Sequence, residues 1–385
     1  MTDGVPAAAA TQRETIRLVL VGPSMDILGG QAVQVQRLLR RLGELDGFVV
    51  EFLPVNPRLP GPLRLLQRVK YVRTVVTSIA YVISLLWRLW RFDVVHAFSA
   101  SYTSYLLAPL PAMVIGRMYG KQIVLNYRSG EADDHLAHSR FARWTMRLAH
   151  EIVVPSGYLV DVFRRFGLHA RAILNFVDLD RLDYRERSTV SPRVLSNRNL
   201  EPMYNVACSL RAFAIVQQQH ADARLAVVGD GSQRKELERL ASNLGLRNVT
   251  FVGKVLPDRM REYYSDADIY LNSPNIDNMP NSVIEAFAAG LPVVSTDAGG
   301  IPYIVRHGDI GFLSRCDDHE SLGRQMLELL REPGLAAAVS ARARRESLTR
   351  YVWPAVAVEW ERLYRDLTRH GARTQGSGSA TAARG

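Results

Sequence analysis

Asn272-Ser-Pro-Asn-Ile-Asp277-Asn-Met-Pro-Asn281-Ser282-Val-Ile-Glu285-Ala-Phe-Ala-Ala-Gly290-Leu-Pro-Val-Val-Ser-Thr296 decides how the rest of the chain is read. A polar loop broken by prolines runs into a helix over Ser282–Ala289. Gly290 ends the helix, and Pro292–Ser295 is a short apolar strand. Ile269-Tyr-Leu271, just upstream, is another strand. Strand, loop, helix, strand is the repeating unit of a parallel, doubly wound sheet. Glu285 admits two readings. Ser282-x-x-Glu285 is a capping box, in which the carboxylate satisfies a backbone N–H. Alternatively, the helix N-terminus, with its free N–H groups and partial positive charge, receives a phosphate. A carboxylate just inside it then accepts from a ribose hydroxyl, as acids do in dinucleotide folds.

The pattern extends in both directions. Val194-Leu-Ser196, Arg224–Gly229 and Val249–Val252 are strands, with helices over 206–220, 231–244 and 258–265. Nearer the start, Ile16-Arg-Leu-Val-Leu-Val21 is a buried strand, followed by a loop ending in Gly29-Gly30 and an amphipathic helix over 31–42. Phe48–Leu53, Asp93–Ala97, Gln122–Leu125 and Glu151–Pro155 are further strands. Two α/β units in tandem follow, joined through the turn-rich segment 176–193, and a cleft between two such units is a common ligand site. The expected divisions are a flexible tail over 1–15, a first domain over 16–180, and a second over 190–350. A helix over 351–368 and a disordered Gly/Ser/Ala/Arg-rich tail over 369–385 complete the chain.

Bulk composition is globular, with 47% hydrophobic and 22% charged residues. Cys208 and Cys316 are the two cysteines, too few for a disulfide scaffold, and a reducing cytoplasm is the expected compartment. Residues 1–15 lack the charged and apolar regions of a signal peptide. The net charge of +10 is uneven. From Glu51 to Asp93 no acid intervenes, while Arg58, Arg64, Arg68, Lys70, Arg73, Arg88 and Arg91 fall between them. Such a block points to an anionic partner. No finger, homeodomain or RNP signature is present, so nucleic acid is not expected. The uncharged stretch Thr74–Trp87 is shorter than the roughly 20 residues a bilayer span needs. It reads as a buried core helix or as an interfacial helix, since basic residues flank it and Trp87 and Trp90 stand at one end.

The segment with Asp277 and Glu285 resembles the acidic motif of retaining GT-B glycosyltransferases of family 4, where two glutamates occupy these places. Ala286-Phe-Ala-Ala-Gly-Leu-Pro-Val-Val-Ser295 and Gly299-Gly-Ile-Pro302 resemble the family too. So do Gly29-Gly30, Leu174-Asn-Phe-Val-Asp178, Val227-Val-Gly229-Asp-Gly231 and Phe251-Val-Gly253. The resemblance spans residues 16–365 and is strongest in the second half. It implies two Rossmann-like domains facing across a cleft, with the C-terminal helix crossing back to the first. It implies transfer of a sugar from a nucleotide-diphosphate donor to an acceptor hydroxyl, without a metal or other cofactor. Asp277 would meet the donor sugar and Glu285 the ribose. Gly29, Gly30, Gly229, Asn278, Pro280, Asn281 and Ser282 would complete the donor site.

Two departures matter. The family pairs an arginine with a lysine a few positions on; here Arg198 is kept, but Tyr204 stands at the lysine place. Arg128, in Asn126-Tyr-Arg-Ser-Gly-Glu131, stands where the family often has a histidine, and is expected to supply the missing positive charge. Asp266-Ala-Asp268 precedes a strand and reads as structural, and Asp133-Asp134-His135 reads as a solvated loop. The basic block implies a lipid-linked or cell-envelope glycan acceptor, with the chain peripheral on the inner face of the membrane. A sugar-nucleotide epimerase and a non-catalytic nucleotide-sugar-binding protein are the competing readings. A Rossmann oxidoreductase is not, because Gly22, Gly29 and Gly30 miss the Gly-x-Gly-x-x-Gly spacing.

Overall fold

A computed structural model describes residues 15–26, 30–59, 61, 64–65 and 69–382, with side chains omitted at 70, 71 and beyond 370. The expected tail over 1–15 thus lies almost wholly outside the described residues. The first sheet contains β1 (Ile16–Gly22), β2 (Phe48–Pro54), β3 (Val94–Ser99), β4 (Gln122–Tyr127), β5 (Glu151–Val154) and β6 (Arg171–Ala172). Its order is β2-β1-β3-β4-β5-β6, parallel throughout. The second contains β7 (Arg193–Asn197), β8 (Arg224–Val228), β9 (Val249–Gly253), β10 (Ile269–Asn272), β11 (Val293–Thr296) and β12 (Phe312–Ser314). Its order is β12-β11-β10-β7-β8-β9, again parallel. Both sheets reverse order beside their first strand, which is the switch point where doubly wound sheets open a crevice at their carboxyl ends.

In the first half the helices are α1 (Gly30–Gly43), α2 (Lys70–Arg88), α3 (Tyr102–Leu107), α4 (Pro109–Met118), α5 (Ala132–His138), α6 (Arg140–Met146) and α7 (Gly157–Arg165). In the second they are α8 (Val206–Gln219), α9 (Arg234–Asn243), α10 (Met260–Asp266), α11 (Asn281–Ala289), α12 (His319–Arg331), α13 (Pro333–Arg350) and α14 (Trp353–Ala382). Asp133, Asp134 and His135 are therefore helical and not in a loop, their helix held by backbone bonds such as His135 N–H to Glu131 O. Asp268 is buried and ion-paired with Arg185 and Arg193, in keeping with a structural role.

The last helix returns to the first sheet. Val356, Trp360, Leu363 and Tyr364 share a buried cluster with Leu18 and Leu20 of β1, Phe48 of β2 and Val124 of β4. Trp353 packs on Phe176, with ring centroids 5.0 Å apart. The Asn126 amide donates to His96 Nε2 (3.0 Å), which leaves Nδ1 as the N–H facing the Tyr364 hydroxyl at 2.7 Å. Burial, and next the Arg128 charge, hold the His96 pKa down to about 3, so the ring stays neutral. Tyr364→Phe strips that buried N–H of its acceptor, and we expect a loss of about 1–3 kcal/mol in urea unfolding. The helix is assigned on to Ala382, across the Gly/Ser/Ala/Arg-rich segment from residue 369 where disorder is expected from composition.

α2 is buried along one narrow side only, so it is not the wholly buried core helix of the first sequence reading. Tyr81 and Leu85, with Leu89 just beyond, are fully buried. Val72, Val75, Ile79, Ile83, Leu86 and Trp87 are exposed on the helix, and Trp90 beyond its end. The 20 residues Val72–Arg91 have a mean hydropathy of 1.4 and are long and apolar enough to cross a membrane by length and composition alone.

Candidate functional site

A cavity of about 500 Å³ opens between the carboxyl ends of the two sheets. Each strand end there delivers one group: β4 leads into Arg128, β7 into Arg198, β8 into Gly229, β9 into Lys254, and β10 into the loop bearing Asp277. Gly30, Arg128, Arg198, Tyr204, Gly229, Asp277, Asn278, Pro280, Asn281, Ser282 and Glu285 all line this one cavity. Gly29 lies outside the described residues. Sequence reasoning missed Gln34 and Arg37 of α1, Asn175, Glu131 and Lys254. Lys254 carried a signal, since it follows Phe251-Val-Gly253 directly.

α11 begins at Asn281 with Pro280 before it, and no side chain caps it. The capping-box reading of Ser282 and Glu285 is thus corrected. Glu285 turns away from the backbone: Oε1 accepts from Arg37 Nη2 at 2.6 Å and Oε2 from the Tyr264 hydroxyl at 2.9 Å. Ser282 Oγ accepts from Arg198 Nη1 at 3.3 Å. The helix N-terminus is left with orphan N–H groups facing the cavity, a ready anion site.

Arg198 Nη2 lies 2.5 Å from Asp277 Oδ2, and its guanidinium rests 4.2 Å from the Tyr204 ring centroid. Tyr204 is thus the platform for Arg198. Burial raises the tyrosine's pKa, so it brings no charge. Burial also raises the Asp277 pKa above the ordinary 3.8, while Arg198 and the Asn278 N–H hold it back. For Arg198 burial opposes the charge, and Asp277 together with Tyr204, Tyr270 and Tyr264 more than restores it. Arg128 donates to Asn126 and Asn175 but has no acidic partner, and burial lowers its pKa to about 9. Arg37 is paired with Glu285 and, at 4.0 Å, with Asp178, and Arg198 is paired with Asp277. Arg128 and Lys254 are in no ion pair among the described residues.

The two halves meet across this site. Gln34 Nε2 donates to Asn281 Oδ1 (2.7 Å), Asn175 Nδ2 donates to Asn281 Oδ1 (2.9 Å) and Met279 O (3.0 Å), and Ser156 bonds Asn278. Close backbone approaches demand glycine. Gly229 has φ 138°, and an added Cβ would sit 2.0 Å from Arg198 O. Gly299 has φ 51°, and its Cβ would sit 2.2 Å from Asp277 O. Gly299→Ala must push the Asp277 loop aside. We expect at least about 1 kcal/mol of destabilisation and weaker nucleotide binding, checked by thermal unfolding with and without nucleoside diphosphate.

With this geometry in hand, likenesses are informative. Residues 28–181 match the family model Glycosyltransferase Family 4, and residues 184–346 match Glycosyl transferases group 1. The chain is 27% identical to N-acetyl-alpha-D-glucosaminyl L-malate synthase of Bacillus anthracis, over 57% of each chain. It is 29% identical to the phosphatidyl-myo-inositol mannosyltransferase of Mycobacterium leprae, over 60% of this chain and 64% of that one. It spans only about three fifths of the length of these curated relatives. The crystal structure of Anabaena HepE in complex with UDP-glucose superposes with a TM-score of 0.66 at 17% identity, over 94% of this chain and 100% of that one. The fold is GT-B: two doubly wound domains, a cleft between them, and a C-terminal helix that crosses back.

Proposed function

We propose that this GT-B chain, whose halves match Glycosyltransferase Family 4 and Glycosyl transferases group 1 in turn, moves a sugar from a nucleotide-diphosphate donor onto an acceptor hydroxyl with retention of configuration. One observation carries the reading: an uncapped helix N-terminus, Arg198, and Glu285 converge on a single interdomain cavity. The diphosphate sits at the N-terminus of α11, against the backbone of Gly30 and Gly229. Arg198 turns from Asp277 to fork onto it, and Lys254 and Arg128 add charge. Glu285 exchanges Arg37 for the ribose hydroxyls. Asp277, once released, holds the donor sugar, with Asn278, Pro280 and Asn281 forming its wall. The C1–O bond to the diphosphate breaks as the acceptor oxygen bonds C1 on the same face. The acceptor proton passes to the departing phosphate oxygen. Charge growing on that oxygen is met by the helix N-terminus and the guanidinium, so no metal or other cofactor is required. Domain closure excludes water and aligns the reactants.

The acceptor we favour is a lipid-linked or cell-envelope glycan at the inner membrane face. The outward face of α2 supports this: apolar residues and Trp87 lie beside Arg73 and Arg88, with Trp90 and Arg91 just past the end. Trp144 and Phe141 of α6 are exposed as well.

Thermal-shift screening against UDP-, GDP- and ADP-sugars identifies the donor, since a ligand of the folded state raises Tm. Radiolabelled transfer to an acceptor, unaffected by EDTA, supports the full reading. Donor isomerisation alone would indicate an epimerase, and binding without turnover or hydrolysis a binding protein. Arg128→Ala is expected to weaken donor affinity and turnover together, and wild-type values for both remove Arg128 from the site. Co-sedimentation with vesicles should rise with anionic lipid; no such dependence removes the membrane.

A further inference from the structure

A second cavity, of about 520 Å³, adjoins the first, and Gly130, Glu131, Ile276 and Asp277 line both. Its remaining wall comes from Tyr102 at the start of α3, the acidic turn of α5, Tyr158 of α7, Asn275 and Gly299. The two cavities differ in their charged groups. Arg37, Arg128, Arg181, Arg198 and Lys254 line the first together with Glu131, Asp178, Asp277 and Glu285. Glu131, Asp133, Asp134 and Asp277 line the second, and among its described lining residues there is no Lys, Arg or His. Three of these acids have partners reaching in from outside: Arg165 pairs with Asp133, Arg198 pairs with Asp277, and His138 Nδ1 lies 3.1 Å from Asp134. The Glu131 carboxylate is in no hydrogen bond or ion pair among the described residues, and it stands on the shared wall.

We infer that this second cavity seats the acceptor as an uncharged saccharide unit, with Glu131 accepting a hydrogen bond from the hydroxyl to be glycosylated. The inference rests on the donor reading above, because that reading puts the transferred sugar at Asp277, between the cavities. A sugar is a dense array of O–H donors with apolar C–H faces. Carboxylates are acceptors only, and match the first. The rings of Tyr102 and Tyr158 offer flat surfaces to the second. Tyr102 is held in the left-handed region, φ 54°, with its hydroxyl bonded to Asp134. A phosphate or carboxylate on the acceptor would meet the unpaired Glu131 carboxylate and find no cation in the wall to pair with. The donor's diphosphate is turned away for the same reason, so each substrate is sent to its own side of Asp277. Acceptors with a phosphate on the sugar that receives the linkage are excluded.

The protein is first saturated with the nucleoside diphosphate that raises its Tm most, which blocks the basic cavity. Saturation-transfer NMR then follows methyl α-glucoside and methyl α-mannoside against glucose 6-phosphate and mannose 6-phosphate. A methyl glycoside should bind at least tenfold more tightly than its phosphorylated counterpart. Glu131→Gln keeps the shape and should weaken glycoside binding to the nucleotide-saturated protein severalfold. Asp133→Asn/Asp134→Asn should narrow the discrimination. Sugar phosphates binding as well as the glycosides, or neither class binding to the saturated protein, overturns the proposal and leaves the donor site standing. If no nucleoside diphosphate shifts Tm, the donor reading fails first and this one with it.

Discussion

Glu285→Ala is expected to cost the protein both its donor affinity and much of its stability, and the two losses can be separated. The carboxylate serves two masters. In the absence of donor it holds Arg37, whose side chain is 8% exposed, at 2.6 Å. Truncation leaves that guanidinium with Asp178 alone, 4.0 Å away and shared with Arg40 and Arg41, so the loss should approach the roughly 3–5 kcal/mol of breaking a buried pair without reaching its upper end. In the donor complex the same carboxylate accepts from the ribose. Losing a hydrogen bond to a charged group costs about 1.5–3 kcal/mol, or roughly ten- to a hundredfold in kcat/KM. Arg37→Met combined with Glu285→Ala removes the stranded charge. That double variant should regain most of the unfolding midpoint yet bind nucleoside diphosphate as poorly as Glu285→Ala. If instead its nucleotide affinity matches wild type, Glu285 is a strut between domains and has no hold on the pentose.

How much of this was legible beforehand follows from what each signal depends on. The strands were readable because a parallel strand buried on both faces must be an apolar run, and Ile16–Val21 and Pro292–Ser295 are such runs. The groups at the strand ends were readable where a loop motif marks them, as with Asp277 and Gly229. Arg37 was not, since nothing within α1 distinguishes it from Arg40 or Arg41. Its role exists only because α1 lies against α11, and Glu285 is 248 positions away. The same long-range partner defeated the capping-box reading: local geometry favoured a backbone bond, and a guanidinium with a tyrosine hydroxyl outbid it. The sequence shows that position 204 lacks a charge, whereas the use of Tyr204 as a ring beneath Arg198 is a packing fact. The charge at Lys254 arrives from a different strand. The exposed face of α2 was half readable, because composition specifies an apolar helix and only the fold says which side is covered.

Arg198→Ala is expected to lower kcat by roughly 10²–10³, the usual consequence of removing one preorganised donor from a growing anionic charge. Arg198→Lys should recover only part of it, since an ammonium keeps the charge but loses the fork and the flat contact on Tyr204. The pH profile adds a second reading from the same variant. Burial raises the Asp277 pKa above 3.8, and Arg198 is the charge that restrains it. Without the guanidinium the restraint goes, and the carboxyl titrates at still higher pH. The acid limb of kcat/KM should therefore move upward in Arg198→Ala, because the sugar contact needs the ionised form. Stability follows the same sign. A carboxyl with a folded pKa above its unfolded value binds more proton when folded, so it favours the native state at low pH. That contribution is lost as pH rises from about 3.8 through the folded value. Unfolding midpoints of Arg198→Ala should therefore fall more steeply over this window than those of wild type. Asp277→Asn, in the same background, should abolish the difference. An Arg198→Ala enzyme with wild-type turnover and an unmoved acid limb would mean that the pair is a structural salt bridge and that the diphosphate is held elsewhere.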